Sequence, residues 1–284
     1  MPLTAIALII AAAAMHTAWN LLIKHAHERQ VVTWWALVVG SLINLPLLAN
    51  TAIPMQVWPY AIASAAVEAA YFMLLIRAYQ NGDFSEVYPI ARGAAPAFIA
   101  VWAMLFLGER PQAAGLVGLA LLLMGLIVVG ASRLFAERRA INITPSLLVT
   151  VLAVALCISV YSAIDAGAVR LIRPAAYNVL VLGLTGLFIA PFVVARFGVR
   201  SIIHEGRANV LRIIAIGVLL LLAYMLVLEA YSMARVSYVG ALREISVVIA
   251  AFAGWRWLDE RFGIVRIAGA VLIFCGIMVV ALAG

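Results

Sequence analysis

The sequence predicts an all-α integral membrane protein whose ten transmembrane helices form two inverted five-helix repeats. Three observations predict it. Hydrophobic residues make up 67% of the 284 residues and charged residues only 11%. A water-soluble domain carries about 45–50% apolar and about 25% charged residues, so the solvent for most of this chain must be lipid. The apolar residues also fall into ten runs, each near the roughly 20 residues that a helix needs to cross the hydrocarbon core. Finally, a stretch of the fourth and fifth runs recurs in the ninth and tenth.

The runs lie at 3–23, 31–49, 57–79, 85–107, 112–131, 146–168, 175–195, 209–231, 236–256 and 263–283. The first has no charged segment before it and no small-residue cleavage site, so it reads as a retained span and not a signal peptide. The breaks hold the expected punctuation, among them Asn81-Gly82-Asp83, Gly108-Glu109-Arg110-Pro111, Arg173-Pro174 and Asp259-Glu260-Arg261. The two longest, 132–145 and 196–208, are also the most charged, and no soluble domain fits into any of them. Trp34, Trp35, Trp58, Trp255 and Trp257 lie near run ends and read as interfacial anchors. Gly118 and Gly125, like Gly269 and Gly276, are seven residues apart. That spacing suggests close packing of helices 5 and 10, and a homodimer seam is a second use for it.

The net charge of +7 does not imply nucleic acid, because the 19 basic residues are scattered singly between apolar runs and form no stripe. They read as topology signals and membrane-surface contacts. Most lie on the odd-numbered loops and their flanks, which the positive-inside rule assigns to the cytoplasm, leaving both termini outside. Cys157 and Cys275 each sit in an apolar run, so neither a disulfide framework nor a metal cluster is expected. No cofactor is expected either.

The repeat is the most informative feature. With Arg92 aligned on Arg243, about forty residues run in register without a gap. Leu107 meets Leu258, Glu109-Arg110 meets Glu260-Arg261, Gly118 meets Gly269, and Gly125 meets Gly276. One gap further upstream brings Ala78-Tyr79 onto Ala230-Tyr231. Leucines and valines match by chance in apolar chains. The arginine, the Glu-Arg pair and the glycines at identical spacing carry the alignment. An odd repeat unit inverts its direction on duplication, so residues 1–140 and 141–284 are expected to form halves of opposite topology. Many secondary transporters are built that way.

Several elements together resemble the drug/metabolite transporter superfamily, in particular its EamA-type ten-helix members. They are His16-Thr17-Ala18-Trp19-Asn20 leading to Lys24, Leu107-Gly108-Glu109-Arg110-Pro111 after the fourth run, its counterpart Leu258-Asp259-Glu260-Arg261 after the ninth, and the glycine-bearing runs that follow. The resemblance covers the whole chain. The second copy departs from the pattern: Asp259 stands for Gly, Phe262 for Pro, and the sixth run has no Trp-Asn-x-x-x-Lys. The resemblance implies transport of a metabolite or amino acid through a central cavity, export as the direction, and cytoplasmic termini, the last against the charge count.

Ionisable groups inside lipid are costly and are functional candidates by default. Arg92 lies between Pro89 and Pro96, where a freed carbonyl and a bend are expected. A guanidinium there could hold a carboxylate or phosphate in a bidentate fork. Arg243 is its repeat partner. Each could instead pair with a buried acid such as Glu68 or Glu244. His16, Asn20 and Lys24 share one stripe of the first helix, and Lys24 could equally snorkel to the interface. Tyr79, Tyr88 and Tyr231 stand inside runs and could line a pocket. Glu68 is the first candidate for a coupling proton site, with Asp165 and Glu244 beside it, although a structural ion pair would explain each as well.

The expected function is secondary transport of a small polar metabolite, an amino acid or organic anion, by alternating access around a midplane cavity. The bacterial inner membrane is the expected location, with the substrate, protons and the lipid bilayer as partners. A membrane enzyme is the main rival. The chain contains no His-Glu-x-x-His, no Gly-x-Ser-x-Gly, no phosphate loop and no Asp-rich metal pair. A channel would need a filter loop that is not visible. A membrane sensor leaves no mark to test in the sequence.

Overall fold

The computed structural model describes residues 1–24, 26–49, 51–81, 84–137, 144–246, 249 and 264–283. Among these residues the chain is helical and contains no strand. The helices are α1 (Leu3–Lys24), α2 (Arg29–Asn44), α3 (Val57–Asn81), α4 (Phe84–Phe106), α5 (Ala113–Glu137), α6 (Pro145–Ala168), α7 (Pro174–Ala208), α8 (Val210–Met233), α9 (Val236–Leu242) and α10 (Ile264–Ala283). A 3-10 turn, Leu45–Leu48, follows α2, where Pro46 has no N–H to continue the α ladder. Among the described residues six helices are long and apolar enough to cross a membrane: α1, α2, α3, α6, α7 and α8. Shorter apolar stretches lie in α4, α5 and α10. Large apolar side chains such as Leu105, Phe106, Ile127 and Leu187 are more than half exposed, as side chains that face lipid must be. The protein is a multi-pass membrane protein.

Helix ends follow local chemistry. α6 and α7 each begin on a proline, which fits a first-turn position whose N–H has no intrahelical partner. Thr144 Oγ1 accepts the Leu147 N–H at 3.2 Å and caps the start of α6. The chain turns away from α4 at Gly108, whose φ of 67° is a left-handed conformation. The Glu109 N–H then reaches back to the Ala103 carbonyl at 3.0 Å, closing the turn in the way a C-terminal glycine allows.

Two departures from the apolar runs stand out. The 196–208 break is helical, with one interruption at Gly198 (φ 72°, ψ 154°). It is too charged to read as a span, yet it keeps a helical period of buried positions. The ninth run, in contrast, stops being regular at Arg243 and Glu244. There the Glu244 N–H bonds to Ala241 and the Ser246 N–H to Arg243. These are tighter, three-residue steps within an apolar run.

The chain divides into two compact units. One comprises Met1–Ile6, Ala70–Ala163 and Met233–Gly284. In it α5 packs along α10, and α4 along α5 and α9. The glycines make the α5–α10 contact: a Cβ on Gly276 would lie 2.6 Å from the Gly118 carbonyl oxygen, and one on Gly125 2.7 Å from that of Gly269. These four glycines thus serve a helix crossing within the chain. Gly240 similarly admits Ile99 of α4 against α9.

The other unit comprises Ala7–Ala69 and Ile164–Ser232. Here α2 packs along α7 and crosses α8, with a Gly217 Cβ only 2.6 Å from the Ala36 carbonyl. Val32, Ala36, Ile213 and Ile216 form its buried apolar floor. Trp34 and Trp35 are not simply interfacial anchors. Their indole N–H groups donate to the carbonyls of Gly186 and Ile202, both at 2.9 Å, and so tie α2 to α7.

Candidate functional site

Polar side chains inside the second unit converge on two acids. Asp165, on α6, is fully buried. Tyr177 of α7 donates its hydroxyl to Oδ1 at 2.6 Å, and Tyr224 of α8 donates to Oδ2. Each carboxylate oxygen therefore has a phenol, and three helices are joined at one group. Glu68, on α3, is 6% exposed and accepts the Thr185 hydroxyl of α7 at 2.8 Å. Such bonds to a charged acceptor contribute about 1.5–3 kcal/mol each, while an unsatisfied buried group costs a comparable amount.

α7 supplies most of these donors. Thr185 lies seven residues after Asn178, on the same face, with Tyr177 beside them, and all three are buried. The Asn178 amide donates to the Leu221 carbonyl at 2.8 Å, while its own Oδ1 is buried with no partner among the described residues. Ser64, one turn before Glu68 on α3, is also fully buried. Asn178 Oδ1 is thus an acceptor held in the same polar layer as two acids.

On α1, His16 and Asn20 of the predicted stripe make contacts within their own helix. The Asn20 amide donates to the His16 carbonyl of its own helix at 2.7 Å. The His16 ring lies edge-on to Trp19 with centroids 5.0 Å apart. Tyr231, near the end of α8, is buried at 4% exposure.

In the first unit Arg243 and Glu244 occupy the irregular step that ends α9. Arg243 is half-buried and its Nη1 donates to Ser162 of α6 at 3.4 Å. One turn earlier on α6, Ser159 accepts the Trp102 indole N–H at 2.9 Å. Tyr161 packs edge-on against Tyr71 at 6.1 Å. The face of α6 near Arg243 thus carries hydroxyls and an aromatic pair. Glu244 is 2% exposed. The side chains of Arg92, Tyr79 and Tyr88 lie outside the described residues, as does that of Lys24.

The Leu-Gly-Glu-Arg element after α4 has a definite task. Glu109 Oε1 accepts the Val236 N–H at 2.5 Å, and Oε2 accepts both the Ser237 N–H at 3.3 Å and its hydroxyl at 2.5 Å. A carboxylate on the first N–H groups of α9 satisfies orphan donors and favours the helix dipole. The Arg235 guanidinium lies over the Tyr238 ring, 5.4 Å from its centroid. The Tyr238 hydroxyl accepts from the Gln112 N–H at 3.2 Å. The start of α9, seven residues before Arg243, is therefore pinned to the α4–α5 turn.

Tyr177, Asn178 and Thr185 carry much of the second unit's polar layer, yet sequence reasoning did not single them out for it. The available signal was a Tyr-Asn pair inside an apolar run with a threonine seven residues on.

A helical multi-pass chain with acids and hydroxyls paired inside its spans has the build of a membrane transporter of small molecules. The chain belongs to the EamA-like transporter family, whose model matches it twice, over residues 3–131 and 146–282. Members of this family are transporters and not enzymes. A solved structure, described only as a crystal structure of a protein, superposes with a TM-score of 0.78 at 18% identity. It covers 99% of this chain and 98% of its own, and at that identity the likeness carries the fold alone. No curated protein sequence matches significantly.

Proposed function

We propose that this protein is a secondary transporter that exports a small polar metabolite, an amino acid or organic anion, across the bacterial inner membrane. In this reading it crosses the membrane ten times as two inverted five-helix repeats, residues 1–140 and 141–284. These halves alternate access to a midplane cavity. Arg92 and Arg243 bind the anionic group of the substrate. His16, Asn20, Tyr79, Tyr88 and Tyr231 complete its polar contacts. Glu68, Asp165 and Glu244 carry the coupling proton.

The observation that most supports this reading is the interruption of α9 at Arg243. Transporters of inverted-repeat build form their sites from discontinuous helices, where backbone groups and a charged side chain are presented together. Glu68 and Asp165 fit proton carriage because hydroxyls are among their partners, and a hydroxyl can either donate or accept as a carboxyl group gains or loses its proton.

Thermal unfolding of the purified protein against a panel of amino acids, organic acids and phosphonates tests the substrate class. A bound ligand at a hundredfold excess over its Kd stabilises by about 2.7 kcal/mol. The expected result is a melting shift by one anionic or zwitterionic class, lost in Arg243→Lys. A shift by lipophilic cations alone, or an unchanged shift in Arg243→Lys, would overturn the assignment.

A further inference from the structure

The segment beyond the apolar part of α7 carries a second, separate feature. After the turn at Gly198 the helix resumes and runs to Ala208. Ile202, Glu205, Gly206 and Asn209 fall on one face of it, and that face is packed. Ile202 and Glu205 are buried, Trp35 donates to the Ile202 carbonyl, and a Cβ on Gly206 would lie 2.8 Å from the Trp35 indole nitrogen. The opposite face carries Arg200, Ile203, His204 and Arg207 at the same helical spacing. With Ala208 they line a surface depression of about 500 Å³.

Charge is sorted between the two faces. Residues 196–212 hold four arginines against the single carboxylate of Glu205. That carboxylate is turned inward, where it accepts the Asn209 amide at 3.0 Å and lies 3.9 Å from His27 Nδ1 and 4.0 Å from His204 Nδ1. Arg212 is held by Asn209 Oδ1 at 2.6 Å, and Arg196 lies over the Phe197 ring. Arg200 and Arg207 remain on the outer face with no acid from their own segment beside them. Ile203, which lines the depression with them, is 45% exposed, and the nearby aliphatic residues in the sequence, Val199 and Leu211, are 57% and 84% exposed. Guanidinium groups next to exposed aliphatic ones match the boundary between headgroups and acyl chains, not bulk water.

We propose that this depression binds the phosphodiester headgroup of an anionic glycerophospholipid. Arg200 and Arg207 hold the phosphate oxygens, and Val199, Ile203 and Leu211 meet the acyl chain. The planar guanidinium fork suits two phosphate oxygens, and basic segments beside a span are attracted to anionic lipid. Packing of Ile202 and Gly206 on Trp35 holds both arginines outward on one rigid face.

Native mass spectrometry of the intact detergent-solubilised protein, titrated with phosphatidylglycerol or phosphatidylcholine, tests this. The wild type is expected to retain phosphatidylglycerol preferentially. Arg200→Gln/Arg207→Gln is expected to lose on the order of tenfold in that retention, with an unchanged melting temperature. The control Arg170→Gln/Arg173→Gln, which removes two exposed arginines of the α6–α7 turn, is expected to lose little. Equal retention of both lipids by the wild type overturns the proposal without any variant. So does an equal loss in both double variants, which would mean that only net charge matters. Displacement by inorganic phosphate as effective as that by a short-chain phosphatidylglycerol would show that phosphate alone is read, and the lipid assignment would fail.

Discussion

Both compact units keep charged side chains within apolar helices, but they hold them in different ways. Asp165 and Glu68 stand on continuous helices, and donors on α7 and α8 reach them at fixed geometry: two phenols for Asp165 and one threonine for Glu68. Arg243 and Glu244 stand where α9 loses its regular ladder, and Arg243 reaches Ser162 by a long bond of 3.4 Å. The first arrangement locks helices together through a carboxylate. The second places a guanidinium on a short, irregular step at Arg243 and Glu244, seven residues after a helix start that Glu109 pins. Intramembrane charge alone therefore does not mark a binding group. In the proposed function it is the backbone beneath the charge that separates the two cases.

That contrast can be broken by mutation, beginning with the largest effect. Arg243→Lys keeps the charge but removes the planar fork. It is expected to reduce transport on the order of tenfold to a hundredfold, as loss of roughly 1.4–2.7 kcal/mol of substrate binding would, with the melting temperature retained. Normal flux in this variant would make Arg243 a structural partner of Ser162.

Gly276→Ala tests the fold on which the first unit rests. Its new Cβ would stand 2.6 Å from both the Gly118 oxygen and the Leu122 nitrogen, so the backbones of α5 and α10 must move apart. Overpacking of this kind costs about 1–3 kcal/mol. Unfolding in a mild denaturing detergent series would register the loss, and an unchanged midpoint would contradict the tight crossing.

Tyr177→Phe removes one of the two hydroxyls on Asp165 and is expected to destabilise by about 1–3 kcal/mol. The same substitution combined with Asp165→Asn should cost less than the sum of the two single changes, because they share one interaction. Additive losses in this double-mutant cycle would mean that the Asp165 site is not a coupled unit. Glu109→Gln gives the smallest change, about 0.3–1 kcal/mol, through weaker stabilisation of the α9 start. Thermal unfolding reads it, and a loss as large as that of Gly276→Ala would assign Glu109 more than a capping role.

Much of the helix layout was legible in the apolar runs, because length and composition report on lipid directly. The glycines of α5 and α10 were legible too: their spacing by seven residues placed them on one face of each helix, and those faces meet. The helical character of 199–208 was hidden by its charge. A hydropathy reading discards Arg200, His204 and Arg207, and with them the period carried by Ile202, Glu205 and Gly206. The irregular step in α9 was hidden for the opposite reason, since apolar neighbours make Arg243 look like a point charge on a regular span. Partners of the acids were the least legible. Thr185 and Glu68 are 117 residues apart, and nothing local in an apolar run says which distant carboxylate a hydroxyl will meet.

Flux measured in proteoliposomes that contain only this protein tests the central claim most directly. The wild type, Arg243→Lys and Glu68→Gln are compared with and without an imposed pH gradient, using the ligand class that shifts melting. The account predicts concentrative, gradient-dependent accumulation by the wild type. It also predicts a large loss of flux in Arg243→Lys, and in Glu68→Gln a flux that no longer responds to the gradient. Chemical conversion of the ligand without accumulation, or no movement of any ligand under any gradient, would contradict it.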